Sequence, residues 1–304
     1  MSDQSQKTSV FASKTVLPDD ALTKRSRTLL GFTDRYTRIR DRLRLIFHLG
    51  ELPKWSKKHH REVIPLCELI ADQYPLIIFH GDVGTGKTVT AEGVANSMVA
   101  EAGDAADESL LFKLSTRVRG SGKVGEMGTL LNEAFAEVVR SAGKTRRAIL
   151  IIDEGDSLGS KRSQEHSHHE DKVAVNTLIQ HIDELRQYNG RILVFLCTNR
   201  LEVLDAALMR RAAFIELFTR PTADERLHLF RQDLAGLGFK DDAFQALVAA
   251  TATNGNGEPP WTFSDLRTRL YPAALARSFP HSPLTLEHFL KAAAEIEPSP
   301  LIET

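Results

Sequence analysis

The stretch HGDVGTGKTVTAEG, residues 80–93, follows the short apolar run LIIFH and opens a segment with helical character. It fits the pattern Gly-x-x-x-x-Gly-Lys-Thr, in which the glycines let backbone N–H groups turn inward around a phosphate. The N-terminus of the following helix adds positive potential at the same place. A strand before this pattern and a helix after it therefore predict a P-loop, which binds the phosphates of a nucleotide.

The loop contains one basic and one acidic side chain, Lys87 and Asp82, whose expected roles toward phosphate are opposite. Lys87 is placed to reach the β- and γ-phosphates of ATP, and the Thr88 hydroxyl is placed to bind Mg²⁺. Asp82 stands beside the phosphates, so its carboxylate must point away from them, and we interpret it as structural. The residues expected to bind the cofactor ATP are Gly81, Val83, Gly84, Thr85, Gly86, Lys87, Thr88 and Val89 of this segment, together with Asp153 further along the chain.

Around the P-loop, apolar runs alternate with amphipathic segments. Strands are predicted at 76–80, 110–114, 148–153, 191–199 and 214–218. Because helices separate them, the fold class predicted is α/β, with a doubly wound parallel sheet. After Pro221 only helical patterns follow, which predicts a small all-α domain.

This pattern divides the chain into three parts. Residues 1–25 are polar and without periodicity, and we expect a flexible tail there. Residues 26–220 form the α/β domain, with a helical lead-in at 26–74. Residues 221–304 form the helical domain.

Composition excludes several classes of protein. The formal net charge is −1 and no apolar run approaches the length of a membrane span, so we expect no membrane partner. Cys67 and Cys197 lack metal-site spacing and are interpreted as reduced thiols of a cytoplasmic protein. Residues 24–61 carry twelve Lys or Arg against three Asp or Glu. Because no aromatic ladder is interleaved with these charges, the stretch favours a solvated helix face or a subunit contact over nucleic-acid binding.

A pair of acids supplies the second half of the site. The apolar strand AILII ends in Asp153 and Glu154. Asp153 is expected to hold the Mg²⁺ ion together with Thr88, and Glu154 to orient and polarise the attacking water. A kinase would position an acceptor substrate instead of water, so the pair indicates ATP hydrolysis.

The residues beyond this pair resemble those of the AAA+ ATPases. The strand RILVFLCTN ends in Asn199, where that family places its sensor 1 residue near the γ-phosphate. The segment LDAALMRRAAF, residues 204–214, resembles the family's second region of homology, whose arginines face the nucleotide of a neighbouring subunit. Arg210 and Arg211 are adjacent here instead of three residues apart; either can be the arginine finger, and Arg211 is slightly favoured.

The segment WTFSDLRTRL, residues 261–270, resembles the sensor 2 segment of the same family. By that resemblance Arg267 or Arg269 touches the γ-phosphate. Since the two side chains lie two residues apart on a helix, they cannot face the same way, and Arg267 is favoured.

A narrower resemblance covers roughly residues 70–275. The acid pair, the VNTLIQHID helix at 175–183 and the SGKVGEMGTLLNEAF segment at 121–135 are similar to the pachytene-checkpoint group of AAA+ proteins, which remodel HORMA-domain proteins. The resemblance implies a homohexamer that draws the peptide tail of a HORMA protein into its pore. The candidate pore loop is Arg117, Val118 and Arg119, without the usual aromatic residue.

The segment before the first core strand is too short for the N-terminal adaptor domain of eukaryotic members. The chain therefore resembles the short bacterial form, found with HORMA proteins and cyclic-nucleotide synthases in anti-phage systems. Two alternatives stay open: a nucleic-acid-dependent ATPase of the clamp-loader or transposition-helper type, and a regulatory ATP-binding module without turnover.

Overall fold

The computed structural model describes residues 10–103, 108–115, 126–155, 169–253 and 259–301. The chain divides into two compact units. The first unit contains Gly31–His80 and Thr88–Glu216, together with the residues that precede Thr28. The second contains Thr28–Leu30, the P-loop segment Gly81–Lys87, and the residues from Leu217 onward.

A six-stranded, mostly parallel sheet organises the chain. Its strands are β1 (Phe11–Leu17), β2 (Leu76–Gly81), β3 (Ser109–Leu114), β4 (Ala148–Ile152), β5 (Ile192–Thr198) and β6 (Ala212–Phe218). Their order across the sheet is β1-β3-β4-β5-β2-β6. Neighbours from β3 to β2 are parallel, and β1 is antiparallel to β3. The predicted α/β fold with a doubly wound parallel sheet is confirmed.

The parallel strands are buried on both faces, which accounts for their continuous apolar sequences. On one face, Leu150 and Val194 pack beneath α6 (Glu126–Ala142) and α7 (His169–Leu185). Their neighbours Ile149 and Leu193 point to the opposite face and are equally inaccessible to solvent. The helices of the first unit are α1 (Asp20–Arg27), α2 (Phe32–Phe47), α3 (Leu52–His60), α4 (Pro65–Ala71), α5 (Lys87–Ala102), α6 (Glu126–Ala142), α7 (His169–Leu185) and α8 (Ala206–Met209). Within the described residues, no helix is long and apolar enough to cross a membrane.

The second unit is helical after β6. Its elements are α9 (Ala223–Asp233), α10 (Asp241–Ala250), a π-helix (Asp265–Leu270), α11 (Tyr271–Ser278) and α12 (Leu286–Glu295). A capping box starts α9, because the Thr222 hydroxyl accepts from the Glu225 N–H and the Glu225 carboxylate accepts from the Thr222 N–H. Phe230, Trp261 and Phe289 are buried in the core of this unit.

The prediction of a flexible tail over 1–25 is wrong for the residues that the structure describes there. Residues 11–17 form β1 at the edge of the sheet, and α1 follows. The buried Asn96 of α5 holds this segment: its Oδ1 accepts from the Asp19 N–H at 2.7 Å, and its Nδ2 donates to the Thr23 hydroxyl at 2.8 Å. An edge strand that buries only its two end residues, Phe11 and Leu17, carries too little apolar pattern to be recognised.

We expect Phe11→Ala to lower the free energy of unfolding by about 3 kcal/mol, because the buried ring packs on Phe112 with 4.9 Å between centroids. Val16→Ala on the same strand is the matched control, since Val16 is 47% exposed, and should cost less than about 1 kcal/mol. Urea unfolding measures both. Equal losses would contradict the packing of β1 on the sheet.

Candidate nucleotide-binding site

The P-loop segment Gly81–Lys87 is shaped by its own lysine. The Lys87 side chain is buried, and its Nζ donates to the carbonyl oxygens of Gly81 at 3.0 Å and Asp82 at 2.7 Å. Thr85 donates its hydroxyl proton to the same Asp82 carbonyl at 2.7 Å. The ammonium group is therefore held inside the loop, where phosphate oxygens can replace the carbonyls as acceptors.

Two glycines of the loop have no room for a side chain. Gly81 has φ 132°, and a Cβ there would lie 1.9 Å from the Phe218 carbonyl oxygen. Gly84 has φ 71°, and a Cβ there would lie 2.6 Å from the Thr262 hydroxyl. The Gly84 carbonyl also accepts from the Ser264 N–H at 3.1 Å. Close backbone approach, together with positive φ, accounts for glycine at both positions.

In the first unit, Thr88 and the acid pair lie together. Thr88 stands in the first turn of α5, and its hydroxyl donates to Asp153 Oδ2 at 2.9 Å. The other oxygen of that carboxylate accepts from the Glu154 N–H at 3.0 Å. Glu154 is exposed and has φ 54°, a strained conformation for this residue type that is typical of functional sites.

The Thr88 hydroxyl and the Asp153 carboxylate fit a magnesium ion. Mg²⁺ prefers hard oxygen ligands and takes one or two from protein, the rest coming from water and phosphates. Within the described residues, no group of three or more His, Cys, Asp or Glu could hold a metal ion. Two oxygen ligands from protein suit an ion that takes the rest of its coordination shell from water and a nucleotide.

The strand register places the predicted sensor residue at the same edge of the sheet as the acids. β4 and β5 are parallel, with Ile152 opposite Leu196. Asp153 follows the carboxyl end of β4, and the half-buried Asn199 follows the carboxyl end of β5. Ligands of open α/β sheets bind at this edge.

The two candidate finger arginines have different surroundings. Arg211 makes a bidentate ion pair with Asp183 of α7, with Nη2 at 2.8 Å from Oδ2, and its Nη1 donates to the Ala207 carbonyl at 2.9 Å. The hydrogen bond to Asp183 raises the pKa of Arg211 above its usual value. Arg210 is exposed, and among the described residues its side chain has neither a hydrogen-bond nor an ion-pair partner.

Both sensor 2 candidates are paired inside the second unit. Arg267 makes a bidentate pair with Asp233, at 2.7 and 2.8 Å. Arg269 donates to the buried Asp265 at 3.2 Å. The two side chains point to different partners, as their spacing requires, and the assignment of sensor 2 stays a prediction.

Two further sequence predictions concern the pore loop and the basic stretch 24–61. The pore-loop residues Arg117, Val118 and Arg119 lie outside the described residues. In the basic stretch 24–61, some arginines form ion pairs within the first unit: Arg25 with Glu92 at 3.0 Å and Arg44 with Asp41 at 3.1 Å.

Sequence reasoning overlooked Arg220, whose guanidinium pairs with the Asp82 carboxylate inside the second unit. An acid in a phosphate-binding loop calls for a nearby cation, and that was the signal available. The pattern could not tell which of the many arginines supplies it.

The chain matches one described family and is similar to several known proteins. Residues 77–220 match the ATPase family associated with various cellular activities (AAA). The chain is 58% identical to the CD-NTase-associated protein 6 of Escherichia coli strain KTE188, over 97% of this chain and 98% of that protein. It superposes on a chain of the E. coli MS115-1 HORMA:CdnC:Trip13 complex with a TM-score of 0.85 and 31% identity, covering 96% and 97% of the two chains. It also resembles a Rhizobiales Trip13, with a TM-score of 0.67 and 29% identity, covering 95% and 99%.

We expect acid to destabilise the second unit through Asp265. Burial raises the pKa of this carboxyl, but hydrogen bonds from Ser299 and Thr262 outweigh burial, so the pKa lies below its usual value. Such a carboxylate contributes stability above the unfolded-state pKa of about 3.9, and that contribution is lost as pH falls through the lower folded-state value.

The test is urea unfolding between about pH 7 and pH 2, followed by the fluorescence of buried Trp261 in a Trp55→Phe background. Asp265→Asn should be less stable than wild type at neutral pH and should lose less of its unfolding free energy in acid. Ser299→Ala, which removes a 2.6 Å hydrogen bond to Asp265, should fall between the two. If the unfolding free energies of wild type and Asp265→Asn changed in parallel with pH, they would contradict the assignment of this acid sensitivity to Asp265.

Proposed function

Since this chain belongs to the ATPase family associated with various cellular activities (AAA), we propose that it is a Mg²⁺-ATP-driven remodeller of HORMA-domain proteins that works as a homohexameric ring. One observation carries the proposal: 96% of the chain matches a chain of the HORMA:CdnC:Trip13 complex with a TM-score of 0.85. The identity of 58% to a CD-NTase-associated protein 6 supports the same function.

ATP binding is assigned to the P-loop and hydrolysis to the edge of the sheet. The loop amides and Lys87 would neutralise the phosphates, and Thr88 and Asp153 would hold the Mg²⁺ ion, which would supply positive charge to stabilise the transferred phosphate. Glu154 takes a proton from the attacking water, and Asn199 would hold that water or the γ-phosphate in line. The strained backbone of Glu154, whose N–H donates to the Asp153 carboxylate, supports its role, because such strain is typical of functional sites.

The proposed ring depends on an arginine finger that each subunit supplies to the ATP of its neighbour. An arginine that serves the next subunit's ATP needs a head-to-tail contact, and such contacts close into rings. The sequence favoured Arg211, but its carboxylate partner Asp183 occupies the guanidinium that a phosphate would need. We therefore assign the finger to the exposed Arg210, and we assign to Arg211 the role of fastening the segment after α8 to α7.

ATP turnover would act on a HORMA-domain protein. Cycles of binding and hydrolysis would move the pore loops, which draw on a flexible tail and convert a closed, partner-bound state into an open one. The loop assigned to this grip is Arg117, Val118 and Arg119. The relative's name, CD-NTase-associated protein 6, places that relative beside a cyclic-nucleotide synthase, and we propose that this chain works with such an enzyme in the bacterial cytoplasm in defence against phage.

A nucleic-acid-dependent ATPase is the weaker alternative. Its main support was the basic stretch 24–61, and Arg25, Arg38 and Arg44 are engaged there by carboxylates of the same unit. A positive surface whose charges are already paired attracts phosphates less strongly.

Glu154→Gln should retain ATP binding and lose about 10²–10⁴-fold in the hydrolysis rate, because it removes the general base and leaves the loop intact. With ATP, this variant should form a stable complex with a closed HORMA protein, whereas wild type should dissociate the closed complex. Glu137→Gln on α6, where the side chain is 41% exposed, is the matched control and should behave as wild type. The proposed target is wrong if HORMA proteins neither stimulate the wild-type ATPase nor leave their complexes.

Arg210→Ala should bind ATP normally and hydrolyse it about 10³-fold more slowly. Mixing it with Lys87→Ala subunits should restore activity, because the second variant lacks ATP binding but supplies an intact finger. Arg211→Ala should instead lower the melting temperature, since Asp183 loses its partner. If Arg211→Ala is the variant that Lys87→Ala subunits rescue, the assignment of the two arginines is reversed.

A further inference from the structure

The Arg220 guanidinium has three hydrogen-bond partners within the second unit. It lies just beyond β6, its side chain is 6% exposed, and its Nε donates to Asp82 Oδ2. Its Nη1 donates to the Pro260 carbonyl and its Nη2 to the Pro300 carbonyl, each at 2.8 Å. One guanidinium thus connects the P-loop to two segments that are distant in sequence.

Hydrogen bonds connect Asp82 in turn to the groups of the loop that bind phosphate. Its Oδ1 accepts from the Val83 N–H at 2.8 Å, so the carboxylate fixes the backbone of the loop as well as the arginine. The main-chain carbonyl of Asp82 accepts from both Lys87 and Thr85. The position of Asp82 therefore determines where the lysine ammonium lies.

An acid in this place has an electrostatic cost that the arginine offsets. The Asp82 side chain is 14% exposed, and poor solvation strengthens its repulsion of any nearby phosphate. Removing one partner of a buried ion pair leaves the other charge uncompensated. The loop is suited to a polyphosphate only while a cation neutralises the carboxylate and holds it aside.

We propose that Arg220 is a positioning residue of the nucleotide site, which acts through Asp82 by neutralising its carboxylate and fixing the P-loop in the form that accepts the β- and γ-phosphates. This inference rests on the proposed ATPase function of the same loop. It also accounts for an acid inside the phosphate-binding sequence: Asp82 and Arg220 act as a pair.

The test is the dissociation constant of fluorescent ATP, ADP and AMP analogues for the full chain and its variants. Arg220→Ala should weaken ATP binding about tenfold or more, ADP binding less and AMP binding least, because repulsion by Asp82 grows with the charge of the ligand. At saturating ATP, kcat should change less than about threefold. Arg220→Lys, which keeps the charge but loses the three-way fork, should be intermediate.

The double variant Asp82→Asn/Arg220→Ala distinguishes charge compensation from general loss of structure. It should recover most of the ATP affinity, because the uncompensated carboxylate is gone. Arg231→Ala is the matched control: it breaks an exposed ion pair with Asp241 in the same unit and should leave nucleotide affinity unchanged. Thermal unfolding of every variant shows which of them are folded.

The outcomes separate this inference from the function on which it rests. A wild-type protein that neither binds nor hydrolyses ATP overturns both. If wild type is active, the inference alone is overturned by unchanged ATP affinity in Arg220→Ala. It is also overturned by an equal loss for all three nucleotides that Asp82→Asn fails to restore. Should Arg220→Ala not fold, Arg220→Lys and the double variant decide by the same criteria.

Discussion

Burial of the parallel strands on both faces is the constraint on which the rest of this structure depends. Residues of β4 and β5 have no solvent-facing side, and the two strands are apolar except for Thr198 at the end of β5. Polar chemistry is therefore displaced to the residues directly after each strand, where Asp153, Glu154 and Asn199 lie. The same constraint accounts for the distorted backbone there: Glu154 must leave a fully buried strand and reach solvent within two residues.

Much of this organisation could be predicted from the sequence, because continuous apolar runs and the Gly-x-x-x-x-Gly-Lys-Thr spacing are compatible with few folds. The edge strand β1 could not be predicted, since it buries only Phe11 and Leu17. It pairs with β3 through backbone groups, which impose no pattern on the side-chain sequence. The ion pairs of the site also escaped prediction. Asp82 and Arg220 are separated by most of the α/β fold, and only the folded chain shows that they meet.

Exposure distinguishes two paired arginines of the second unit. Arg220 shares a nearly dry contact with Asp82, and a separated pair in such surroundings would be costly to solvate. The side chain of Arg267 is 25% exposed, so water can take the place of its carboxylate more easily. Each carboxylate competes with phosphate for its arginine, and burial sets how strongly it competes. The same residue type can therefore serve as a fixed support at one position and as an exchangeable ligand at another.

The π-helix at Asp265–Leu270 has a consequence for how this protein can tolerate length changes. A π-helical turn accommodates one more residue than an α-helical turn, so the segment already contains the equivalent of a one-residue insertion. Deleting a single residue would let the segment relax to α-helix and rotate the residues on one side of the deletion by about 100° relative to the other. Arg267 and Arg269 could then not both keep their carboxylates. The length of this short segment is thus fixed by its pairing partners, and natural or engineered length variation should be confined to the loops on either side.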